Sequence, residues 1–184
     1  MIKIAMDAGK HVFCEKPLAD TVEKCKEAEA IIAAHPELTF MLGFMRRYDH
    51  SYQVAKKKME NGDIGDVILV RCYSQDPISI IEGTLEYAPR SGGQFIDMSI
   101  HDFDLIRWLT GSEVKELWAT GGCYEFKQYK DWDDGDNVSG LMKMENDAMP
   151  AALRHTALML RPKSLVPAAP CVSLRFRPIL WSRL

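Results

Sequence analysis

Three groups of residues have the types and spacing to do chemistry. The first is Glu15–Lys16–Pro17, where a carboxylate, an ammonium and a proline close the short apolar run Val12–Phe13–Cys14. Proline fixes its own φ and drives the residue before it out of the α region, so the backbone holds Lys16 in place. Two charges and a fixed backbone thus meet at one spot, which a polar turn at the end of a strand also explains. The second group is Asp97 and His101, four apart in a segment of helical period, so that one helix face carries both. A carboxylate one turn from an imidazole can orient it and raise its basicity, as a general base near neutral pH requires. The same spacing suits a plain helix-surface pair or two ligands of a divalent ion. No obvious third ligand accompanies them, which weakens the metal option. The third group is Arg46, Arg47 and Tyr48 in GFMRRYD.

The elements that position these groups alternate between helix and strand. Residues 2–9 read as the last turns of a helix, with Gly9 suited to its end, and residues 12–14 as a short buried strand. Asp20 or Thr21 can cap a helix reaching His35, with Val22, Cys25, Ala28 and Ile32 along one face. Residues 39–44 form a second buried strand, and residues 48–61 an amphipathic helix closed by Asn61–Gly62. Strand–helix–strand of this kind is a crossover in a parallel sheet, whose ligands bind beyond the carboxyl ends of the strands. Lys16 and Arg46/Arg47 both fall at such ends. From Gly65 the pattern changes. Residues 67–73 read as a strand, 75–90 as a loop-rich stretch, and 114–120 and 137–144 as alternating, half-covered antiparallel strands. Between them Ser91–Gly92–Gly93 is a flexible loop leading to a helix that Gly111 closes. The pattern is therefore α/β: a parallel strand–helix–strand unit, then, from Gly65, a second α+β domain whose sheet is mainly antiparallel.

Residues 146–184 differ in composition. They hold six of the 23 Lys/Arg, one of the 26 acids, five of the nine prolines and none of the twelve glycines, without a sustained period. The expectation is a basic tail outside the fold, read from a shifted frame. The net charge of −3 gives no basic footprint for nucleic acid. No apolar run approaches the roughly 20 residues that span a bilayer, and the start, MIKIAMDAGK, has no signal-like apolar core. Five scattered cysteines without a C-x-x-C pair fit reduced thiols and a cytoplasmic setting.

AGKHVFCEKPLA, GFMRRYD and SGGQFIDMSIHDFDLIRWLTG, in that order, resemble the glucose–fructose oxidoreductase/inositol dehydrogenase (Gfo/Idh/MocA) family, most closely its inositol 2-dehydrogenase members. The resemblance covers residues 1 to about 145, and it implies that 1–64 are the C-terminal part of a Rossmann-like parallel sheet and 65–145 an incomplete α+β domain with an open, mainly antiparallel sheet. It implies an oxidoreductase that takes a secondary hydroxyl of a cyclitol or sugar, with NAD (or NADP) as cofactor and no metal, and that forms a homo-oligomer through the sheet of the second domain. It implies catalytic roles for Lys16, beside nicotinamide and substrate, for His101, the base, and for Asp97, which contacts substrate and steadies the histidine. It also implies that Glu15, Lys16 and Pro17 shape the cofactor side and that Arg46 and Tyr48 line the site. The chain departs from the family in having no G-x-G-x-x-G, so its two parallel strands are expected to be the outer fifth and sixth, with cofactor binding impaired. The alternative expectation is a non-catalytic short form that acts only in protein association.

Overall fold

The computed structural model describes residues 1–155. The first 43 residues form a two-stranded parallel unit. Helix α1 (Ile2–Asp7) leads through Gly9, at φ 68°, into β1 (Val12–Glu15). Helix α2 (Val22–Ala33) starts at Thr21, whose hydroxyl accepts from the Lys24 N–H at 3.3 Å, and returns the chain to β2 (Phe40–Gly43). The strands pair from Val12↔Phe40 to Glu15↔Gly43. Gly43 lies close to Glu15: a Cβ there would stand 2.9 Å from Glu15 Oε2, so a larger residue would push the end of the Glu15 side chain aside. Lys16–Pro17 then leaves β1 through a cis peptide.

After β2 the chain takes one 3₁₀ turn, Met45–Tyr48, before helix α3 (His50–Glu60). The helix begins two residues later than the periodicity suggested because Asp49 caps it, accepting from Ser51 N–H at 2.8 Å and Tyr52 N–H at 3.4 Å. The turn keeps Arg46 and Arg47 off the helix and at the end of β2.

The second unit is a mixed sheet of β3 (Arg71–Gln75), β4 (Val114–Gly122), β5 (Asn137–Met144) and β6 (Ala151–His155), ordered β3-β6-β5-β4. Two of its pairings are antiparallel, and β3–β6 is parallel. Helix α5 (Ile100–Thr110) lies on one face and ends at Gly111, φ 63°. Leu105 and Ile106 of α5 pack with Cys72, Met142, Met144, Ala148 and Ala152 in the core.

Three expectations change here. The strand placed over 67–73 moves to Arg71–Gln75; the residues before it already run along the same neighbour, the Ile68 and Val70 carbonyls accepting from Met149 and Ala151 N–H at 2.9 and 2.8 Å. The stretch 75–90, read as loop-rich, holds a short helix α4 (Ile81–Tyr87) between two 3₁₀ turns. Residues 146–155, assigned by composition to a tail, instead complete the sheet. The small residues Ala151 and Ala152 fill the place between β3 and β5, and the proline that masked the strand signal, Pro150, is fully buried just before it. The rest of that assignment, 156–184, lies outside the described residues. Among the described residues no helix is long and apolar enough to cross a membrane.

Candidate active site

Lys16 leaves the end of β1 toward the segment that precedes α5. That segment, Phe95–Ser99, is a π-helical turn, a wider winding frequent at functional sites. Asp97 lies in it, its N–H bonded to the Gly93 carbonyl at 2.9 Å. Lys16 Nζ donates to Asp97 Oδ1 at 3.0 Å and also to the Asp97 main-chain carbonyl. One lysine from the first unit thus binds both oxygen types of one residue of the second, in a largely buried setting.

His101 sits in the first turn of α5, 7% exposed, with the Phe44 ring edge-on at 6.3 Å. Its Nδ1 is buried and bonded to no other described residue. Burial pushes its pKa below the ordinary value of 6.5, and the Lys16 and Arg46 cations push the same way against the weaker pull of Asp102 and Asp97. The imidazole is therefore neutral at neutral pH. Asp97 does pull the pKa upward, as expected, but burial and the two cations outweigh it. The wide turn gives the Asp97 carboxylate to Lys16, and burial and cations dominate at the ring.

The arginines of the 3₁₀ turn have definite partners. Arg46 Nη1 donates to Asp102 Oδ1, and Nη2 donates to Ser74 Oγ at 3.0 Å. Ser74 Oγ in turn donates to Asp102 Oδ2 at 2.8 Å. Asp102 is fully buried. Arg47 grips Asp104 with two bonds, 2.8 and 2.6 Å. Arg46 therefore reaches the site by way of Asp102 and Ser74, while Tyr48 is exposed, outside this cluster. Ser74, Asp102 and Asp104 were missed as candidates. The available signal was two carboxylates inside an otherwise apolar helix, IHDFDLI, which must find partners if the helix is buried.

Beside this cluster Cys72 is inert as a nucleophile, its thiol pushed up to about 12 by burial and by Asp102. Among the described residues no group of three His, Cys, Asp or Glu could hold a metal ion. The residues fit one end of a nicotinamide cofactor. Glu15–Lys16–Pro17 lies at the carboxyl end of a parallel strand, where ligands of such sheets bind, and His101 Nδ1 is buried and bonded to no other described residue. The sequence offers no glycine-rich turn for a pyrophosphate.

Comparison with known proteins identifies the family. Residues 1–44 match the model of an oxidoreductase family with an NAD-binding Rossmann fold, and residues 52–153 match the GFO/IDH/MocA C-terminal domain. The chain is 40% identical over 149 residues to the uncharacterized oxidoreductase YrbE of Bacillus subtilis, covering 81% of this chain and 42% of that one. It is 36% identical over 149 residues to myo-inositol 2-dehydrogenase of Thermotoga maritima, covering 77% and 41%. Among solved structures, scyllo-inositol dehydrogenase of Lactobacillus casei with bound NAD(H) and scyllo-inositol superposes at TM-score 0.77 and 41% identity, over 85% of this chain and 47% of that one. The chain thus spans less than half the length of the relatives it matches. With both halves of its described residues matching in the family's order, the chain belongs to the Gfo/Idh/MocA oxidoreductase family.

Proposed function

We propose that these residues serve an NAD(P)-dependent oxidation of a secondary hydroxyl on a cyclitol or sugar, inositol being the first substrate to test and NAD the first cofactor. The observation that carries this reading is the bond from Lys16 to Asp97, one helical turn from the buried His101. The lysine and the histidine come from different units, and the histidine is held neutral.

When bound, the cofactor supplies the hydride acceptor. The protein supplies position and proton handling. Lys16 donates to the reacting oxygen and stabilises charge that develops there as the proton leaves. Asp97 holds the ammonium and offers its carboxylate to a neighbouring hydroxyl. His101, neutral and buried, accepts the hydroxyl proton on the ring, and burial makes the nitrogen available at neutral pH instead of already charged. Glu15 and Pro17 shape the turn on the cofactor side. Arg46 acts through Asp102.

The test is an NMR titration of the chain with myo-inositol, scyllo-inositol and glucose, with glycerol as control. The expected result is saturable shifts of the His101 ring and Lys16 side-chain signals with a cyclitol or sugar, lost in Lys16→Ala and His101→Ala variants that stay folded. Saturation by none of the three ring polyols overturns the substrate class. In a longer form that also carries a glycine-rich pyrophosphate turn, Lys16→Ala is expected to lower kcat by roughly 10²–10⁴, the span of a lost proton-handling group.

A further inference from the structure

Among the described residues, the ion pairs that join the first unit and the turn after β2 to the second unit land on one short segment, and that segment carries His101. Lys16 binds Asp97, Arg46 binds Asp102, and Arg47 binds Asp104. The three cations leave the carboxyl ends of β1 and β2. The three carboxylates occupy eight consecutive residues, with His101 among them. Asp102 and Asp104 are nearly or fully buried, so neither is a casual surface pair. Asp102 is also bonded by Ser74 of β3, which fixes α5 to its own sheet at the same point.

We propose that Arg46, Asp102 and Ser74 are positioning residues for the Lys16–His101 pair: they lock the turn after β2 onto the first turn of α5 and so set the approach of the ammonium to the imidazole. This rests on the proposed roles of Lys16 and His101, and it adds residues that act by holding that pair in place. The physical argument is one of forks. Arg46 uses two different nitrogens on two partners from two elements, Asp102 of α5 and Ser74 of β3. A planar guanidinium with both ends occupied fixes orientation as well as distance, which a lysine at the same place does not. Lys16 and Arg46 belong to neighbouring strands of one small sheet, and Asp97 and Asp102 to one continuous helical run. Loosening the Arg46 fork therefore lets the two units shift, and the Lys16–Asp97 bond is the first site contact to lengthen.

The test reads Lys16 directly and needs no catalysis. Competitive acylation of the folded chain, followed by mass spectrometry, gives the relative reactivity of each lysine in the native chain and in Arg46→Lys, Ser74→Ala and Asp102→Asn. Lys16 reactivity is expected to rise roughly tenfold or more in Arg46→Lys and Asp102→Asn, the loss of about one charge-assisted bond, and less in Ser74→Ala. Lys3 and Lys24, on exposed helix surface, are expected to stay unchanged. If Asp102→Asn does not fold, Arg46→Lys, which keeps the charge, decides. Unchanged Lys16 reactivity in folded Arg46→Lys overturns the proposal, as does a parallel rise at all lysines, which marks general loosening. If the ring-polyol titration fails while Lys16 responds as expected, the catalytic reading falls and the lock stands.

Discussion

His101 carries the site's titration, and its surroundings set the sign. Its folded pKa is depressed, first by burial and then by Lys16 and Arg46. The unfolded chain thus binds the proton more readily than the folded one. Stability is then fully present above about 6.5, the ordinary histidine value, falls as pH drops from there toward the depressed folded pKa, and levels off below it. Denaturant midpoints measured across this window should show that loss in the native chain and a smaller one in His101→Gln. Equal slopes in the two would place the depressed titration elsewhere. The candidates themselves were readable from the sequence, because a lysine before proline at a strand end and an aspartate–histidine pair at helical spacing are local signals. The direction of the His101 shift was not. It depends on two cations that arrive from 55 and 85 residues upstream, and no local spacing reports them.

At the scale of elements, the helix over 100–110 and its glycine stop were legible, whereas the π turn before it was not, since apolar periodicity does not distinguish a turn of slightly different width. The pairing of Arg47 with Asp104 shows what that helix demands. Asp104 is 4% exposed and takes both of its bonds from one guanidinium. Removing a single partner strands a charge, at a cost of about 3–5 kcal/mol, while replacing both with apolar residues of similar volume is often neutral. Arg47→Met alone should therefore lower stability strongly in urea titration, and Arg47→Met with Asp104→Leu should recover most of the loss. A double variant as unstable as the sum of the single ones would mean that the pair does not act as a unit. The same logic explains the misplaced boundary at 145. A short strand of small residues after a buried proline has little signal of its own, and it is fixed by the strands on either side.

At the scale of the molecule, the two sheets bury different amounts. Among the described residues the second sheet is covered on one face: α5 takes Cys72, Met142 and Ala152, while Tyr73, Trp118 and Leu141 stand on the other, 59, 51 and 40% exposed. The register places Trp118 beside Leu141, with Arg71 and Ala151 completing the row, and such an apolar face invites a second copy of the chain. Self-association through this face is the expected arrangement. Trp118→Asp, a change that leaves the core face untouched, should shift sedimentation toward the monomer without lowering helix content. Cofactor binding is the opposite case, a function that needs more than the elements described. Glu15–Lys16–Pro17 can flank a nicotinamide, but the strongest part of dinucleotide recognition is a pyrophosphate on a glycine-rich turn at a helix N-terminus, and no G-x-G-x-x-G occurs in these 184 residues. Calorimetric titration of the chain with NAD is therefore expected to give a Kd of about 1 mM or weaker, since the nicotinamide end contributes few contacts of its own. Micromolar binding would mean that residues outside any glycine fingerprint hold the phosphates, and Arg46→Lys and Lys16→Ala would then show whether the cations of this rim are the ones that do so.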